Sequence, residues 1–191
     1  MGAAPFFACG KNRYMSTWRT ASFPSAAEAT LIREGLLIPY TADHAAPADL
    51  AATPPLRGAL ISPLLPAGAT AVGLTACWIH TGWWPSSRFP ALTAGHPYRS
   101  DPCIRTRTVI PQEHITHIGG CPVTLPARTA ADLLLLEPTD IALSGLFMLA
   151  EPPDRPAFFS DLTRILASMH RRPRLPRARA IVQALSDAAR D

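Results

Sequence analysis

Lysine is almost missing from this 191-residue chain. Lys11 is the only one, so the positive charge is carried by arginine, and the formal net charge is a modest +4. A cation set made of arginine alone reflects a GC-rich coding sequence as readily as selection for guanidinium chemistry. The position of each arginine therefore carries the information, not the choice over lysine. Charged residues are also scarce, 17% against 48% hydrophobic, which excludes a chain kept disordered by charge and leaves a globular one. No CxxC pair occurs among Cys9, Cys77, Cys103 and Cys121, there is no HExxH, and Ser144 does not sit in a G-x-S-x-G elbow. No apolar run approaches the roughly 20 residues of a membrane span, and no basic segment precedes "AAPFFACG", so neither a membrane helix nor a secretory leader is expected. These absences predict a cytoplasmic protein with reduced thiols. There is no internal repeat.

Proline is plentiful instead. Its 21 residues predict frequent irregular connections. Residues 1 to 24 show no periodicity, and "MSTWRT" at Met15 would serve equally well as a start, which makes 1 to 14 an extension. "SAAEATLIREGLL" (25 to 37) predicts a short helix, with Ser25 and Glu28 forming a capping box and Gly35 stopping it. "IPYTADHAAPADLAATPP" then reads as a Pro/Ala-rich linker without a core pattern, holding at most a helical turn. The expected division is 1–55 as extension, small helical module and linker, and 56–191 as the main domain, long enough for a substantial core.

In the main domain "LRGALISPLL" predicts a helix stopped near Pro63. "ATAVGLTACWIHTG" (69 to 82) predicts a second, buried over a wide face and ended by Gly82. "ALTAG" (91 to 95) and the alternating "IRTRTVI" (104 to 110) read as strands, with Arg105 and Arg107 on the wet face. "EHITHI" (113 to 118) and "CPVTL" (121 to 125) read as a hairpin turned by Gly119 and Gly120, where positive φ is needed. Pro126 suits the first turn of the next helix, Arg128 and Asp132 can pair on its rim, and Pro138 ends it. Three more helices are expected over 139–151, 157–170 and 175–190. The fold class is α+β: a small antiparallel sheet of three or four strands packed on several helices.

The order of "AVGLTACWIHTG", then "IRTRTVIPQEHITHIGGCPVTLPARTAADLL", then a helical tail resembles the AbiEi antitoxin family. These are the antitoxin and regulator components of abortive-infection, type IV toxin–antitoxin operons. The likeness covers roughly residues 56 to 185. It rests on Trp78, Ile79, His80 and Gly82, on the Gly-Gly hairpin, and on a "PVT-x-P-x-RTA-x-DL" junction matched by Pro122, Val123, Thr124, Pro126, Arg128, Thr129, Ala130, Asp132 and Leu133. The resemblance implies an N-terminal winged-helix module joined to an α/β antitoxin domain. It also implies binding of double-stranded DNA at the operon's own promoter and neutralisation of a nucleotidyltransferase toxin, with no catalytic residue, metal or cofactor. This chain departs from the pattern. Only "SAAEATLIREGLL" fits the last helix of a winged helix, so the module is degenerate. "IPYTADHA", without arginine, stands where a basic wing is expected, and Leu125 stands where Thr or Ser is common. Some relatives continue into a Vsr-like nuclease domain that this sequence does not show. Pro126, Arg128, Thr129 and Asp132 read as a structural junction.

The nucleic-acid candidates are Arg171, Arg172, Arg174, Arg177 and Arg179 in "HRRPRLPRAR", which contains no acid, and Arg33 on the first helix, with Arg13 and Arg19 upstream. Each also reads as ordinary solvated surface. His96, Cys103, His114, His117 and Cys121 cluster in sequence, but His114 and His117 point to opposite faces if they share a strand, which argues against one shared ion. Cys77 and His80 can share a helical face, in an apolar helix where cysteine is usually inert. Trp78, Trp83 and Trp84 read as core plus lid, or as a partner surface. The leading expectation is an antitoxin-like regulator that binds promoter DNA and a toxin. The alternatives are a protein-interaction module without DNA binding and a small metal-dependent enzyme.

Overall fold

The first helix closes on itself at both ends. The structure is a computed structural model that describes residues 25–41, 43–87, 110–150 and 154–188, with the backbone of two further strands at 93–95 and 104–106. Helix α1 (Ala26–Arg33) carries the expected capping box: Ser25 Oγ accepts from Glu28 N–H (3.3 Å), and Glu28 Oε2 accepts from Ser25 N–H (2.8 Å). At its other end Gly35 has φ +73°, and the amides of Gly35 and Leu36 close back on the carbonyls of Ile32 and Leu31. This double closure satisfies orphan carbonyls that the helix leaves open.

The segment expected as a linker is a hairpin. Strands β1 (Leu37–Thr41) and β2 (His44–Pro47) pair antiparallel, with a register shift between Pro39 and Thr41. A 3-10 turn over Ala48–Ala51 leads to α2 (Pro54–Ile61). The hairpin is anchored by Tyr40, whose ring stacks on Trp78 (centroids 6.0 Å apart, planes 14° apart). Tyr40, Ala46 and Ala51 belong to the same buried cluster as Leu60, Ile61, Trp78, Ile79 and Val123. Proline and alanine concealed the strands because neither has strong β preference.

The next correction falls on 69–82. Thr70 and Ala71 form β3, the central strand of a five-stranded sheet, and the helix α3 (Gly73–Thr81) starts only after it. Gly73, at φ +53°, makes the strand-to-helix bend. A continuous apolar run does not distinguish a buried strand from a buried helix. The remaining strands are β4 (Thr93–Gly95), β5 (Ile104–Thr106), β6 (Ile115–Ile118) and β7 (Cys121–Thr124), in the order β5-β4-β3-β7-β6. The sheet is mixed rather than purely antiparallel: β3–β4 and β6–β7 are antiparallel, β3–β7 and β4–β5 parallel. The expected strand at 113–118 begins as a 3-10 turn over Gln112–His114. Residues 107–109 and the side chains of Arg105 and its strand neighbours lie outside the described residues.

Four helices follow: α4 (Pro126–Leu136), α5 (Thr139–Leu149), α6 (Arg155–Ser168) and α7 (Leu175–Ala188). The fold is α+β. Helix α3 lies between two cores. Leu74 and Cys77 face the α4–α7 cluster, while Ala76, Trp78 and Ile79 face the hairpin, α2 and β7. That explains why this helix is apolar all round.

The Gly119–Gly120 turn has the positive φ values expected, +56° and +78°. It also serves as a packing surface. A Cβ on Gly119 would fall 1.9 Å from Pro55 O, and one on Gly58 would fall 1.9 Å from Ile118 O. Helix α2 and the hairpin turn therefore meet backbone to backbone, which only glycine permits.

Candidate functional site

The strand-to-helix junction is a closed knot of hydrogen bonds. Thr129, fully buried on α4, places Oγ1 3.0 Å from both Thr124 O and Leu125 O, and 2.8 Å from Thr124 Oγ1. Its proton goes to a carbonyl, and its oxygen accepts from the Thr124 hydroxyl. His80 reaches in from α3, with Nε2 2.8 Å from Thr124 O. A carbonyl only accepts, so Nε2 carries the hydrogen. Burial pushes the His80 pKa down, the bond to Thr124 O opposes this, and the Arg57 charge adds to the fall. Leu125, the residue before Pro126, offers no side-chain cap. Thr129 instead ties the first turn of α4 back to the end of β7.

Arg128 and Asp132 pair as expected (Nε to Oδ1, 3.1 Å), but both are buried rather than on a rim. Helix α4 packs against α3, α5, α6 and α7, so it has little rim to offer. Burial raises the Asp132 pKa against the pull of Arg128, and its Oδ2 has no hydrogen-bond partner. Arg128 Nη1 also lies 3.4 Å from His114 Nδ1. Arg128, Thr129 and Asp132 are thus buried within the fold, and Pro126 opens α4.

One buried arginine was not singled out in the sequence. Arg57 on α2 donates Nε to Ile79 O (3.0 Å), Nη2 to His80 O (3.1 Å), and Nη1 to Ala51 O (2.9 Å) and Ala52 O (3.1 Å). It closes the C-terminus of α3 together with Gly82, whose φ is +75°. The sequence did carry a signal. Residues 57, 60 and 61 share a helix face, and Leu60 and Ile61 are core, so a cation there must find buried acceptors.

The arginine-rich segment divides by role. Arg174 Nη1 donates to Leu136 O (3.0 Å) and Glu137 O (3.1 Å) at the end of α4. Arg177 Nη2 donates to the Thr139 hydroxyl at the start of α5. Arg179 wraps the end of α6, reaching Leu166 O, Ala167 O and Met169 O. Arg171 and Arg172 are exposed, Arg171 with φ +54°. Arg33 is exposed on α1. Over residues 25–47 the charges are Arg33 against Glu28, Glu34 and Asp43, one positive and three negative, a net of −2 with histidine neutral. Arg13, Arg19 and Arg107 lie outside the described residues.

The thiol and histidine candidates do not converge. Cys77 Sγ lies 3.9 Å from both Thr81 Oγ1 and Gly145 O, and burial pushes its pKa up to about 12. Its neighbour His80 is turned to Thr124 instead. Cys121 is buried, with its pKa likewise raised to about 12, and His117 is exposed. His96 and Cys103 lie outside the described residues, and among the described residues no three such side chains are grouped to hold a metal ion. No helix among them is long and apolar enough to cross a membrane. Trp78 is core, and Trp83 and Trp84 are half-buried against it, Trp84 touching both clusters.

Helix α5 is apolar on both sides. Ile141, Ala142, Gly145, Leu146 and Leu149 face inward, while Phe147 (48% exposed) and Met148 (39%) face outward beside half-buried Leu143, with Leu136 (43%) just before the helix. A search against family models, curated proteins and solved structures gave no match to this chain.

Proposed function

We propose that this chain acts by binding a protein partner, as an AbiEi-like antitoxin countering a nucleotidyltransferase toxin. The observation that carries this reading is the outward face of α5. Phe147 and Met148 are exposed on α5 beside half-buried Leu143, on a helix whose inner face is already filled, and Leu136 is exposed at the end of α4. Large apolar side chains exposed close together are a usual feature of partner surfaces. The test is growth rescue: cells expressing a nucleotidyltransferase toxin of the abortive-infection type are supplied with this chain. Restored growth that is lost with Phe147→Asp supports the reading. Unrelieved toxicity with well-expressed, folded protein overturns it.

Promoter binding is the second reading. The order of α1 and the hairpin β1–β2 supports it, since a recognition helix followed by a wing runs in this order. The net charge of −2 over 25–47 opposes it, because phosphates must be met by cations. Phosphate contact falls instead to the arginines at 171–179. Fluorescence anisotropy against the chain's own upstream DNA and a scrambled duplex, at two salt concentrations, tests this. No binding at low salt removes the regulator role.

A further inference from the structure

We infer that the cleft between the first turn of α4 and helix α6 binds a small organic cation, an amine or guanidine carried on an apolar body. This goes beyond the protein-partner reading and does not rest on the α5 face. The cleft has a volume of about 520 Å³, which is the size of a small-molecule site. Its walls come from four parts of the chain: the turn before β6, the link from β7 into α4, the end of α5 and the first turns of α6. Leu125, Pro126, Leu149, Phe158 and Ile165 give it an apolar lining, completed by Ala157, a small exposed residue of α6. Leu149, Phe158 and Ile165 also belong to the core around α4, so this lining is fixed by the packing behind it.

The polar part of the lining decides the sign of the ligand. It consists of Glu113, His114, Asp154, Asp161 and Arg164. Burial, then the Arg128 charge, lowers the His114 pKa, and His114 Nδ1 accepts from Arg128 Nη1 (3.4 Å), so the ring is neutral. Three acids and one arginine leave the lining at −2, and counting Arg155, next to Asp154 in the chain, leaves −1. Helix ends do not reverse this. The openings of α4 and α6 and the closing end of α5 together add about half a positive charge. The cations nearby are also engaged already: Arg164 with Asp161, Arg128 with Asp132, and Arg155 through Nε with Ala150 O. Glu113 and Asp154 are not. Neither carboxylate makes an ion pair or a side-chain hydrogen bond among the described residues, and Asp154 opens α6 without capping it. Two unpaired carboxylates beside an apolar wall that includes the Phe158 ring match a cation with an apolar body. An anion of the same shape meets two uncompensated acids.

The probe is 4-phenylbutylamine. It is compared with 4-phenylbutyrate, which has the same body and the opposite charge, and with 1,4-diaminobutane, which lacks the ring. Isothermal titration calorimetry on the full chain at pH 7 should show 4-phenylbutylamine binding roughly tenfold more tightly than either, or better. Glu113→Gln and Asp154→Asn should each weaken it by roughly threefold or more and narrow its lead over the acid. Ala157→Trp, which fills the cleft from an exposed helix position, should abolish binding while the far-ultraviolet circular dichroism is kept. Equal affinity for the amine and the acid, amine binding indifferent to both carboxylate variants, or no binding of any probe at millimolar concentration overturns the inference. So does a capped Leu-Arg-Leu peptide that binds where the free amine fails, since the cleft would then take a side chain of a protein partner.

Discussion

The two glycines of the β6–β7 turn allow a controlled test of where the fold is rigid. Both have positive φ, +56° at Gly119 and +78° at Gly120, so alanine at either must adopt the left-handed conformation at a cost of about 1–2 kcal/mol. Their surroundings differ. A Cβ on Gly120 meets nothing within 4 Å, whereas one on Gly119 falls 1.9 Å from Pro55 O and 2.8 Å from Ala59 N. Those are backbone atoms of α2, which cannot swing aside as a side chain can. The turn and α2 must part, and overpacking of this kind costs roughly a further 1–3 kcal/mol or more. Gly120→Ala should therefore lose about 1–2 kcal/mol and Gly119→Ala about 2–5 kcal/mol. Urea denaturation followed by circular dichroism measures both, as shifts in midpoint at constant slope. Asparagine tolerates positive φ, so Gly120→Asn should be nearly silent and Gly119→Asn should not. Equal losses at the two positions would refute the backbone contact and leave the turn conformation as the whole effect.

Other perturbations probe the buried polar groups. Arg57→Met strands carbonyls at Ala51, Ala52, Ile79 and His80 and should cost roughly 3–5 kcal/mol, read by the same unfolding assay, with Arg57→Lys recovering little because a point donor cannot span the four. Thr129→Val should cost about 1–3 kcal/mol and Thr129→Ser clearly less, since serine keeps the junction hydroxyl. Burial lowers the His80 pKa, so below about pH 6.5 the unfolded chain gains a proton that the folded one resists, and stability should fall from pH 7 to pH 5. Asp132, with its raised pKa, acts in the opposite sense, so the measurement is the difference between wild type and His80→Gln, whose melting temperature should fall less with acid. If DNA is bound through 171–179, Arg174, Arg177 and Arg179 must loosen contacts to α4, α5 and α6 before they meet phosphate. With those three contacts kept, the log–log salt slope should be no steeper than roughly −1.8, against the −4.5 of five phosphate contacts, and anisotropy across a salt series separates the two.

The parts of the fold legible in the sequence are those whose chemistry is local. The capping box at Ser25 and Glu28, the stop at Gly35, the Gly-Gly turn and the proline at the start of α4 each depend on partners within a few residues. The helices at 139–149, 155–168 and 175–188 follow from apolar periodicity. What could not be read depends on distant partners. Thr70 and Ala71 are a strand only because β4 and β7 flank them. The Pro/Ala stretch 37–47 is a hairpin because Tyr40 finds Trp78, nearly forty positions away. The burial of Arg128 and Asp132 was missed because four helices close around α4. The apolar face of α5 was overlooked because a helix apolar on both sides looks like core until its neighbours are placed.

The arginines acquire a common explanation once the helix ends are compared. A helix leaves its last carbonyls without partners and a partial negative charge at that end. Glycine at φ +75° closes α3, but α4, α5 and α6 end without a glycine in the left-handed position. At each of these four ends an arginine from elsewhere in the chain supplies the donors: Arg57 for α3, Arg174 for α4, Arg155 for α5 and Arg179 for α6. A guanidinium suits this task better than an ammonium, because its fixed fork can meet two or three carbonyls at once. Lysine scarcity is therefore compatible with how this fold is held, whatever its origin in the coding sequence. The density of arginine over 171–179 has a structural cause as well, since Arg174, Arg177 and Arg179 fasten α7 to α4, α5 and α6. A basic run in a sequence is evidence for a polyanion only after the helix ends it serves have been subtracted, and here that subtraction removes three of five. Among the described residues Phe147 and Met148 stay exposed on α5, and the proposed partner binding rests on those apolar side chains rather than on the basic run.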